Sequence, residues 1–292
     1  MDEPVIEAAP AKINLALHVT GRRADGYHSL EMLVAFAEVG DELEAAPARK
    51  DSLSITGPFA AALGNSEGNL VLRALAAFRA RWPEALPDGL AITLRKNLPV
   101  AAGLGGGSAD AAAALRLFAT MSSEAIAFAD LFALATTLGA DVPMCLHSRP
   151  AEVRGIGEIV LPLKHFPACH VVLVNPLVPV VTAEAFRKLE RRDNPGLPAI
   201  ADPLMRPAQL GLWLGETRND LEAPALAIAP IVGELIEHLA GVDGCILARM
   251  SGSGATVFGL FGSSNQAHQA AHDLRERWPD FWVAAAPLIG IS

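Results

Sequence analysis

The stretch that decides the fold is PVAAGLGGGSADAAAAL, residues 99–115. It follows an apolar strand pattern and leads directly into an alanine-rich segment, which predicts a helix over 109–121 with Ser108 as its N-cap. Four glycines fall within five positions: Gly103, Gly105, Gly106 and Gly107. Because glycine has no Cβ, we expect this backbone to take positive φ angles and to approach a ligand closely.

A glycine loop that enters the N-terminus of a helix presents several unpaired backbone N–H groups at the positive end of the helix dipole. The pattern therefore predicts an anion site, and a nucleotide phosphate is the expected occupant. A flexible glycine linker is the alternative interpretation, but a linker would not be bounded at once by a strand and a helix.

Two common phosphate loops do not match this segment. A Walker loop needs Lys after its last glycine, and no Gly-Lys pair occurs in the chain. A dinucleotide fingerprint needs a third glycine where Ser108 stands, and an acidic residue at the end of a second strand. Glu124 has a tolerable spacing for that acid, but it opens a second predicted helix, over 124–138, so this fingerprint also fails.

Hydrophobic periodicity predicts two layered α+β halves. In the first half it predicts a half-buried strand at 13–19, further strands at 30–36, 53–56 and 90–94, and helices at 71–82 and 124–138. The second half begins with a predicted hairpin at 152–163, a buried strand at 170–174, a short helix at 182–189 and a proline-rich loop at 194–207. From Leu226 onward the predicted order is helix, strand, strand, helix, strand, which is typical of a ferredoxin-like split βαβ layer.

The glycine segment resembles the phosphate-binding motif of the GHMP small-molecule kinases, the family of galactokinase, homoserine kinase and mevalonate kinase. That motif most often reads Pro-x-x-x-Gly-Leu-Gly-Ser-Ser-Ala, and the triple-glycine form GLGGGSAD is similar to one branch, which acts on a cytidine diphosphate substrate. Further matches follow in the family's order: AKINLALH at 11–18, DGYH at 25–28, GNLVLRA at 68–74, RKNLP at 95–99, TLGADVPMCL at 137–146, NDLE at 219–222 and ARMSGSGATVFGLF at 248–261. Together they cover nearly the whole chain.

The resemblance implies an α+β, two-domain fold of the GHMP kinase type. We expect an ATP-binding N-terminal domain over 1–162 and a ferredoxin-like C-terminal domain over 163–292 that completes the substrate cleft. The implied activity is ATP-dependent phosphorylation of a hydroxyl on a cytidine diphosphate substrate, in the supply of isoprenoid precursors, with Mg²⁺ bound alongside the nucleotide. Two alternatives stay open: a sister kinase for homoserine, mevalonate or a sugar, and a nucleotide-binding protein that has lost catalysis.

The resemblance also implies residue roles. Lys12 and Asp141 are the expected catalytic residues, although Asp141 is from the sequence alone as easily an ordinary helix N-cap. The expected ATP-binding residues are Asn69, Leu70, Lys96, Pro99, Gly103, Leu104, Gly105, Gly106, Gly107 and Ser108. The expected substrate-binding residues are Asn14, Tyr27, His28, Phe186, Gly252, Ser253 and Gly254, with Tyr27 and Phe186 on the two faces of the cytosine. No protein ligand of Mg²⁺ is assigned, because two glycines replace the family's Ser-Ser pair and Asp110 can simply complement the helix N-terminus.

Composition narrows the class of partner. The chain has 292 residues, of which 51% are hydrophobic and 19% charged, as in a globular protein long enough for two domains. A net charge of −9 without a basic block argues against nucleic acid and anionic membranes. Prolines interrupt the uncharged run at 165–183, so it is not expected to span a membrane. The N-terminus lacks the apolar core of a signal peptide and the cysteines lie far apart, so we expect a cytoplasmic protein with small-molecule partners. The oligomeric state is left open.

Overall fold

The computed structural model describes residues 3–63, 68–200 and 206–290. The chain is an α+β protein that divides into two compact units, each built from several chain segments. Unit 1 comprises Met1–Ala11, Gly40–Val100 and Gly105–His147, and unit 2 comprises Lys12–Val39, Ala101–Leu104 and Ser148–Ser292. Two long strands, β1 (Val5–Arg22) and β2 (His28–Ala48), contribute residues to both units. The expected ATP-binding domain over 1–162 and the expected C-terminal domain over 163–292 stay a prediction.

Unit 1 packs helices beside three paired strands. The last part of β2 is antiparallel to β4 (Gly89–Arg95), and β3 (Ser52–Thr56) is parallel to β4. The helices of this unit are α1 (Leu70–Arg81), α2 (Gly106–Met121), α3 (Phe128–Leu138) and α4 (Val142–His147), and a short 3₁₀ helix spans Ala60–Leu63. Phe78 of α1 meets Phe118 of α2 edge-on, with ring centroids 5.7 Å apart. This contact uses the apolar face that the sequence spacing predicts for α1.

The start of α2 corrects the predicted N-cap. Gly105, with φ 63°, is the N-cap residue, and its carbonyl oxygen accepts the first helical hydrogen bond from the N–H of Ala109 at 2.8 Å. Ser108 therefore lies inside the first turn. Positive φ angles occur at Gly103 and Gly105, whereas Gly106 already has helical geometry. The helix begins earlier than predicted because Gly105 reaches the left-handed conformation that turns the chain into it.

The start of α3 also differs from the prediction, at Phe128 instead of residue 124. The hydroxyl of Ser122 accepts a hydrogen bond from the N–H of Glu124 at 3.0 Å, and the N–H of Ser123 donates to the carbonyl oxygen of Ala85 at 2.9 Å. Such a side-chain bond offers the backbone an alternative to a helical turn, and residues 124–127 lie outside the helix. The predicted end at Leu138 is confirmed.

Unit 2 contains an antiparallel sheet in the order β10–β7–β9–β8. Its strands are β7 (His170–Asn175), β8 (Cys245–Met250), β9 (Val257–Phe261) and β10 (Trp282–Pro287), and α9 (Ser264–Arg277) connects the last two. Numbered along the chain, the strands stand fourth, first, third, second. This is the arrangement of a ferredoxin-like split βαβ layer, so that prediction is confirmed.

Other elements of unit 2 follow the predicted order. The hairpin at 152–163 is formed by β5 (Ala151–Gly155) and β6 (Ile159–Pro162), and β5 is antiparallel to residues 30–34 of β2. The short helix at 182–189 is α5 (Thr182–Arg187). Within the described ranges, no helix combines the length and the apolar composition needed to cross a membrane.

The segment before β8 is more helical than expected. The helix α6 (Pro207–Gly215) starts where a proline-rich loop was expected to end, with Pro207 in the first helical turn, where a missing N–H is tolerated. The helix expected from Leu226 onward is two helices, α7 (Glu222–Ile228) and α8 (Ile231–Ala240). Pro230 separates them because proline cannot continue a helix. Residues 201–205 of the expected loop lie outside the described residues.

The second half of β1 differs from the half-buried strand that alternation predicts. From Lys12 to Val19 it is buried on both faces, and the buried side chains include Asn14 and His18. The N–H of Arg218 donates to Nε2 of His18 at 3.1 Å, while Nδ1 lies 3.1 Å from the carbonyl oxygen of Pro195. Burial, together with Arg218, lowers the pKa of His18, so the ring is neutral near pH 7. Alternation identifies a strand, but it does not show that later segments cover its polar face.

Gly40 offers a test of the packing between β1 and β2 in unit 1. A Cβ at this position would overlap the carbonyl oxygen of Ala9, a backbone atom that cannot move alone. We expect Gly40→Ala to lower the free energy of unfolding by roughly 1–3 kcal/mol, the usual range for overpacking. Chemical denaturation measures this. Gly215→Ala is the control, because a Cβ there meets nothing within 4 Å; an equal effect of both substitutions would contradict the packing argument.

Candidate active site

Lys12 and Asn14 form a buried polar pair on β1. They are two residues apart, so their side chains lie on the same face of the strand. The ammonium group of Lys12 donates to Oδ1 of Asn14 at 2.7 Å, and Nδ2 of Asn14 lies 3.2 Å from the sulfur of Met32. The amide of Asn14, itself fully buried, therefore fixes the position of the Lys12 ammonium.

The hydroxyl of Ser251 joins this pair to the glycine segment within unit 2. It accepts a hydrogen bond from the N–H of Asn14 at 3.1 Å and donates to the carbonyl oxygen of Gly103 at 2.9 Å. Nearby, the N–H of Lys12 donates to the carbonyl oxygen of Leu104 at 3.0 Å. Ser251 is fully buried, so these bonds are shielded from water. Ser251 thus connects the strand that carries the expected catalytic lysine to Gly103 of the glycine segment.

Glycines are required where this loop meets the turn after β8. Gly103 has φ 75°, and a Cβ there would overlap the carbonyl oxygen of Ser251. Gly252 has φ 58°, and a Cβ there would lie 2.9 Å from the carbonyl oxygen of Gly103. The two backbones approach more closely than any side chain allows.

The side chain of Asn219 fixes the backbone of the same turn. Its Nδ2 donates to the carbonyl oxygens of Met250 and Gly252 at 2.9 and 2.8 Å, and its Oδ1 accepts from the N–H of Leu221 at 3.0 Å. Both the nitrogen and the oxygen of this buried side-chain amide are therefore hydrogen-bonded to backbone groups. Gly254 follows with φ 89° and packs against Met250.

Ser253 connects the turn to α5. Its hydroxyl lies 2.8 Å from the hydroxyl of Thr182, the first residue of that helix. Because α5 also carries Phe186, the expected substrate residues Ser253 and Phe186 share one structural support.

The aromatic region of unit 2 contains Tyr27, His28 and Phe186. Tyr27 is 61% exposed in the turn between β1 and β2, where its N–H donates to Oδ1 of Asp25 at 3.1 Å. The ring that stacks on Phe186 is His28, with centroids 4.8 Å apart and planes inclined by 20°. The expected sandwich of Tyr27 and Phe186 around a base stays a prediction, and one face of Phe186 is already covered.

His28 has an unused polar edge. Its Nε2 is buried and has no hydrogen-bond partner among the described residues. Burial first, then the charges of Arg192 and Arg22, lower the pKa of His28, so the ring is neutral near pH 7. A neutral imidazole with one unsatisfied nitrogen is suited to read the polar edge of a heterocycle.

The expected ATP residues of unit 1 gather around the start of α2. Oδ1 of Asn69 accepts from the N–H of Val71 at 2.9 Å and so caps α1. A Cβ added to Gly107 would lie 3.6 Å from the side chain of Leu70, so α1 begins beside the glycine loop. The N–H groups of Gly106, Gly107 and Ser108 belong to the first turn of α2 and have no acceptor within the helix. The sequence predicts an anion site at these groups, and this site stays a prediction.

Lys96 differs in setting from the adenine-lining residue that the resemblance implies. Its ammonium is buried and donates to Oδ2 of Asp110 at 2.8 Å and, closer still, to Oδ2 of Asp41. Burial alone would lower the pKa of Lys96, but the two carboxylates raise it, so the ammonium is charged. Burial raises the pKa of Asp110 to about 7. The Lys96 ammonium acts to lower this pKa, whereas the negative charge of Asp41 raises it further.

Asp41 also holds the chain that leads into the glycine segment. Its Oδ1 accepts from the N–H groups of Asn97 and Leu98 at 2.6 and 2.8 Å. The next residue is the buried Pro99, an expected ATP-binding residue.

Asp141 precedes α4 in unit 1. Its carbonyl oxygen accepts from the N–H of Cys145 at 3.2 Å, so its backbone occupies the N-cap position that the sequence left as an alternative. This backbone position does not conflict with a catalytic role for the carboxylate, which stays a prediction.

Sequence reasoning missed Ser251, Asn219 and Asp41. Ser251 directly precedes the glycine turn, and Asn219 lies in the NDLE match. Both therefore lie within segments that match the family, but their hydrogen bonds could not be predicted from the sequence. Asp41 lies outside the strand predicted at 30–36, and only the structure shows that it is a buried carboxylate within β2.

Comparisons with known proteins identify the family of this chain. The model of the GHMP kinases N terminal domain matches residues 69–149, and the model of the GHMP kinases C terminal domain matches residues 198–280. A protein from Cereibacter sphaeroides named 4-diphosphocytidyl-2-C-methyl-D-erythritol kinase is 48% identical over 97% of this chain and 98% of its own. One of the same name from Methylorubrum extorquens is 49% identical over 94% of this chain and 96% of its own.

Solved structures give the same result. A crystal structure of 4-(cytidine 5'-diphospho)-2C-methyl-D-erythritol kinase covers 98% of this chain and 100% of its own, with 36% identity and a TM-score of 0.81. A homoserine kinase from Cytophaga hutchinsonii covers 99% and 98%, with a TM-score of 0.69, but its 19% identity supports the fold alone. The chain belongs to the GHMP kinases and, within them, to the family of 4-diphosphocytidyl-2-C-methyl-D-erythritol kinases.

Ser251→Ala tests the junction in unit 2. It removes the hydroxyl between Asn14 and Gly103, so we expect turnover to fall roughly 10- to 100-fold, the scale of a small misplacement of reacting groups. Steady-state kinetics measure this. Thr217→Val is the control, because it also removes a buried hydroxyl of unit 2, the one bonded to Arg249 at 2.9 Å. Equal losses of stability with unchanged turnover in both variants would show that Ser251 is structural only.

Proposed function

We propose that this chain transfers the γ-phosphoryl group of ATP to a hydroxyl of 4-diphosphocytidyl-2-C-methyl-D-erythritol. The product is the 2-phosphate, an intermediate of the non-mevalonate route to isoprenoid precursors. The observation that carries the proposal is near-full-length identity of about one half with kinases of that name. Because the reaction consumes ATP, the cytoplasm is the proposed compartment.

The phosphate site supports ATP as the donor. The first turn of α2 offers N–H groups to an anion without any side-chain charge, which suits a chain of net charge −9. Leu70, beside Gly107, supplies an apolar surface for the base next to that site.

In the proposed mechanism, Asp141 accepts the proton of the substrate hydroxyl. The hydroxyl oxygen forms a bond to the γ-phosphorus, the bond from that phosphorus to the bridging β–γ oxygen breaks, and ADP leaves with the electron pair. Lys12, oriented by Asn14, supplies compensating positive charge. Because phosphoryl transfer has a loose transition state, placement of these groups matters more than the strength of the base.

Mg²⁺ is expected with ATP, since it neutralises the phosphate charge in such reactions. Asp110 is the carboxylate nearest the glycine loop in sequence, and its Oδ1 is enclosed without a hydrogen-bond partner among the described residues. Its other oxygen already accepts from the Lys96 ammonium, which would repel a second cation. Asp110 therefore does not fit as a ligand, and the mechanism contains no step through a protein-bound metal.

Alternative functions are a sister kinase and a non-catalytic nucleotide-binding protein. Homoserine, mevalonate and galactose carry no aromatic base, so an exposed Tyr27 beside the His28–Phe186 stack has no use in those enzymes. Lys12 and Asp141 together argue against a loss of catalysis. ADP release measured with each candidate alcohol separates the three functions.

Asp141→Asn tests the proposed base. The change keeps the shape and the N-cap backbone but removes the proton acceptor, so we expect turnover to fall by roughly 10²-fold or more. Affinity for a non-hydrolysable ATP analogue should stay within about twofold, because the residue does not hold the nucleotide. Single-turnover phosphorylation measures the chemical step; a rate close to wild type would remove Asp141 from the mechanism.

Tyr27→Ala and Phe186→Ala test recognition of the cytosine. Stacking on one base contributes ~1–3 kcal/mol, so Tyr27→Ala should raise KM for the cytidine substrate roughly 5- to 150-fold. Phe186→Ala should have the smaller effect, because His28 already covers one face of that ring. The KM for ATP should not change, since the base is remote from the transferred group. Unchanged KM for the cytidine substrate in both variants would contradict the assignment.

A further inference from the structure

Asp41, Lys96 and Asp110 form a buried ionic cluster in unit 1. Each is less than 6% exposed, and the Lys96 ammonium donates to both carboxylates. The cluster lies against the first turn of α2: a Cβ added to Gly106 would be 3.0 Å from Nζ of Lys96 and 3.6 Å from Oδ2 of Asp41. Gly106 is thus a glycine because the ammonium occupies the space of a side chain.

The cluster joins three chain segments. Asp41 belongs to β2, Lys96 follows the end of β4, and Asp110 lies one turn into α2. Asp41 uses its second oxygen for the N–H groups of Asn97 and Leu98, which lead into the glycine segment. The residues on both sides of the loop, 96–98 before it and 110 after it, are held by one set of charges.

Burial of an ionic cluster does not by itself make a protein more stable. Desolvation of such groups can exceed their mutual attraction, and an apolar replacement of similar volume is often at least as stable. Ionic hydrogen bonds do, however, fix distance and direction more narrowly than apolar contacts. A role in fixing the geometry of the loop therefore explains this cluster better than a gain in stability does.

We propose that Asp41 and Lys96 are positioning residues for the phosphate site, which set the first turn of α2 so that its N–H groups meet the phosphates of ATP. Lys96 then acts through the loop and not on the adenine ring. This inference rests on the proposed use of ATP; it adds Asp41, which no sequence motif includes, and gives Lys96 a role at the loop.

A direct contact of Lys96 with the base has different consequences. In that case loss of Asp41 would free the ammonium, and affinity for the base alone would depend on Lys96. In a positioning role, loss of Asp41 weakens binding of the phosphates and leaves binding of the nucleoside unchanged.

Asp41→Asn is the informative variant. The asparagine keeps one oxygen for the N–H groups of Asn97 and Leu98, but it removes the negative charge that holds Lys96. Calorimetric titration then compares three probes: a non-hydrolysable ATP analogue, inorganic tripolyphosphate and adenosine. We expect roughly 10- to 100-fold weaker binding of the first two, and adenosine affinity within about twofold of wild type.

Asp51→Asn is the matched control. Asp51 accepts from the N–H of Leu90 at 2.9 Å and pairs with Arg79 at 2.8 Å, so it holds the opposite end of β4 in the same unit. Its loss should lower thermal stability without any change in affinity for the three probes.

The outcomes separate the interpretations. Weaker binding confined to adenosine would assign Lys96 to the base, and unchanged binding of all three probes would make the cluster structural only; either result overturns the proposal. If Asp41→Asn does not fold, the uncharged triple variant Asp41→Asn, Lys96→Met, Asp110→Asn takes its place, with the same expected loss for ATP analogue and tripolyphosphate. A wild-type protein that binds the ATP analogue but does not phosphorylate the cytidine substrate would refute the proposed function and leave this inference intact.

Discussion

In unit 2, the buried hydroxyl of Ser251 connects the strand that carries the expected catalytic lysine to the glycine segment. On one side its hydrogen bonds fix the backbone of Asn14, whose amide holds the Lys12 ammonium, and on the other they fix the carbonyl oxygen of Gly103. Neither partner has a rigid position of its own, because a lysine has many rotamers and a glycine loop many backbone conformations. The fully buried hydroxyl removes this freedom for both at once, and Asn219 adds rigidity from the turn that carries it. Loss of such a junction leaves buried polar groups unsatisfied, at about 1–3 kcal/mol each.

Unit 1 solves a similar problem with charges. The anion site predicted at the start of α2 would consist of backbone N–H groups, whose direction depends on how the first turn is held. Asp41 and Lys96 lie against this turn at Gly106, where the absence of a side chain leaves room for the ammonium.

Local patterns predicted much of this fold because they have local causes. The strand–glycine–helix order, the face of α1 and the ferredoxin-like order of unit 2 all follow from periodicity and from breaker residues. The errors arose where contacts distant in sequence decide the outcome. Burial of β1 on both faces depends on segments near residues 195 and 218, which are far from it in the sequence. The setting of Lys96 was missed for the same reason, since its partner Asp41 is 55 residues away.

The aromatic region shows why stacking alone is a weak basis for selecting a cytosine. Phe186 already stacks on His28, and such a pair is worth about 0.5–1.5 kcal/mol. A base that displaces His28 gains only the difference between two stacks, and every base has an aromatic face to offer. Hydrogen bonds to the polar edge discriminate far better, because a buried group left without its partner carries a penalty. Nε2 of His28 is such a group, buried and neutral, and the turn that carries Tyr27 holds it in place. A base bound in this region would therefore be selected by its polar edge, whereas stacking on the aromatic rings would supply general affinity.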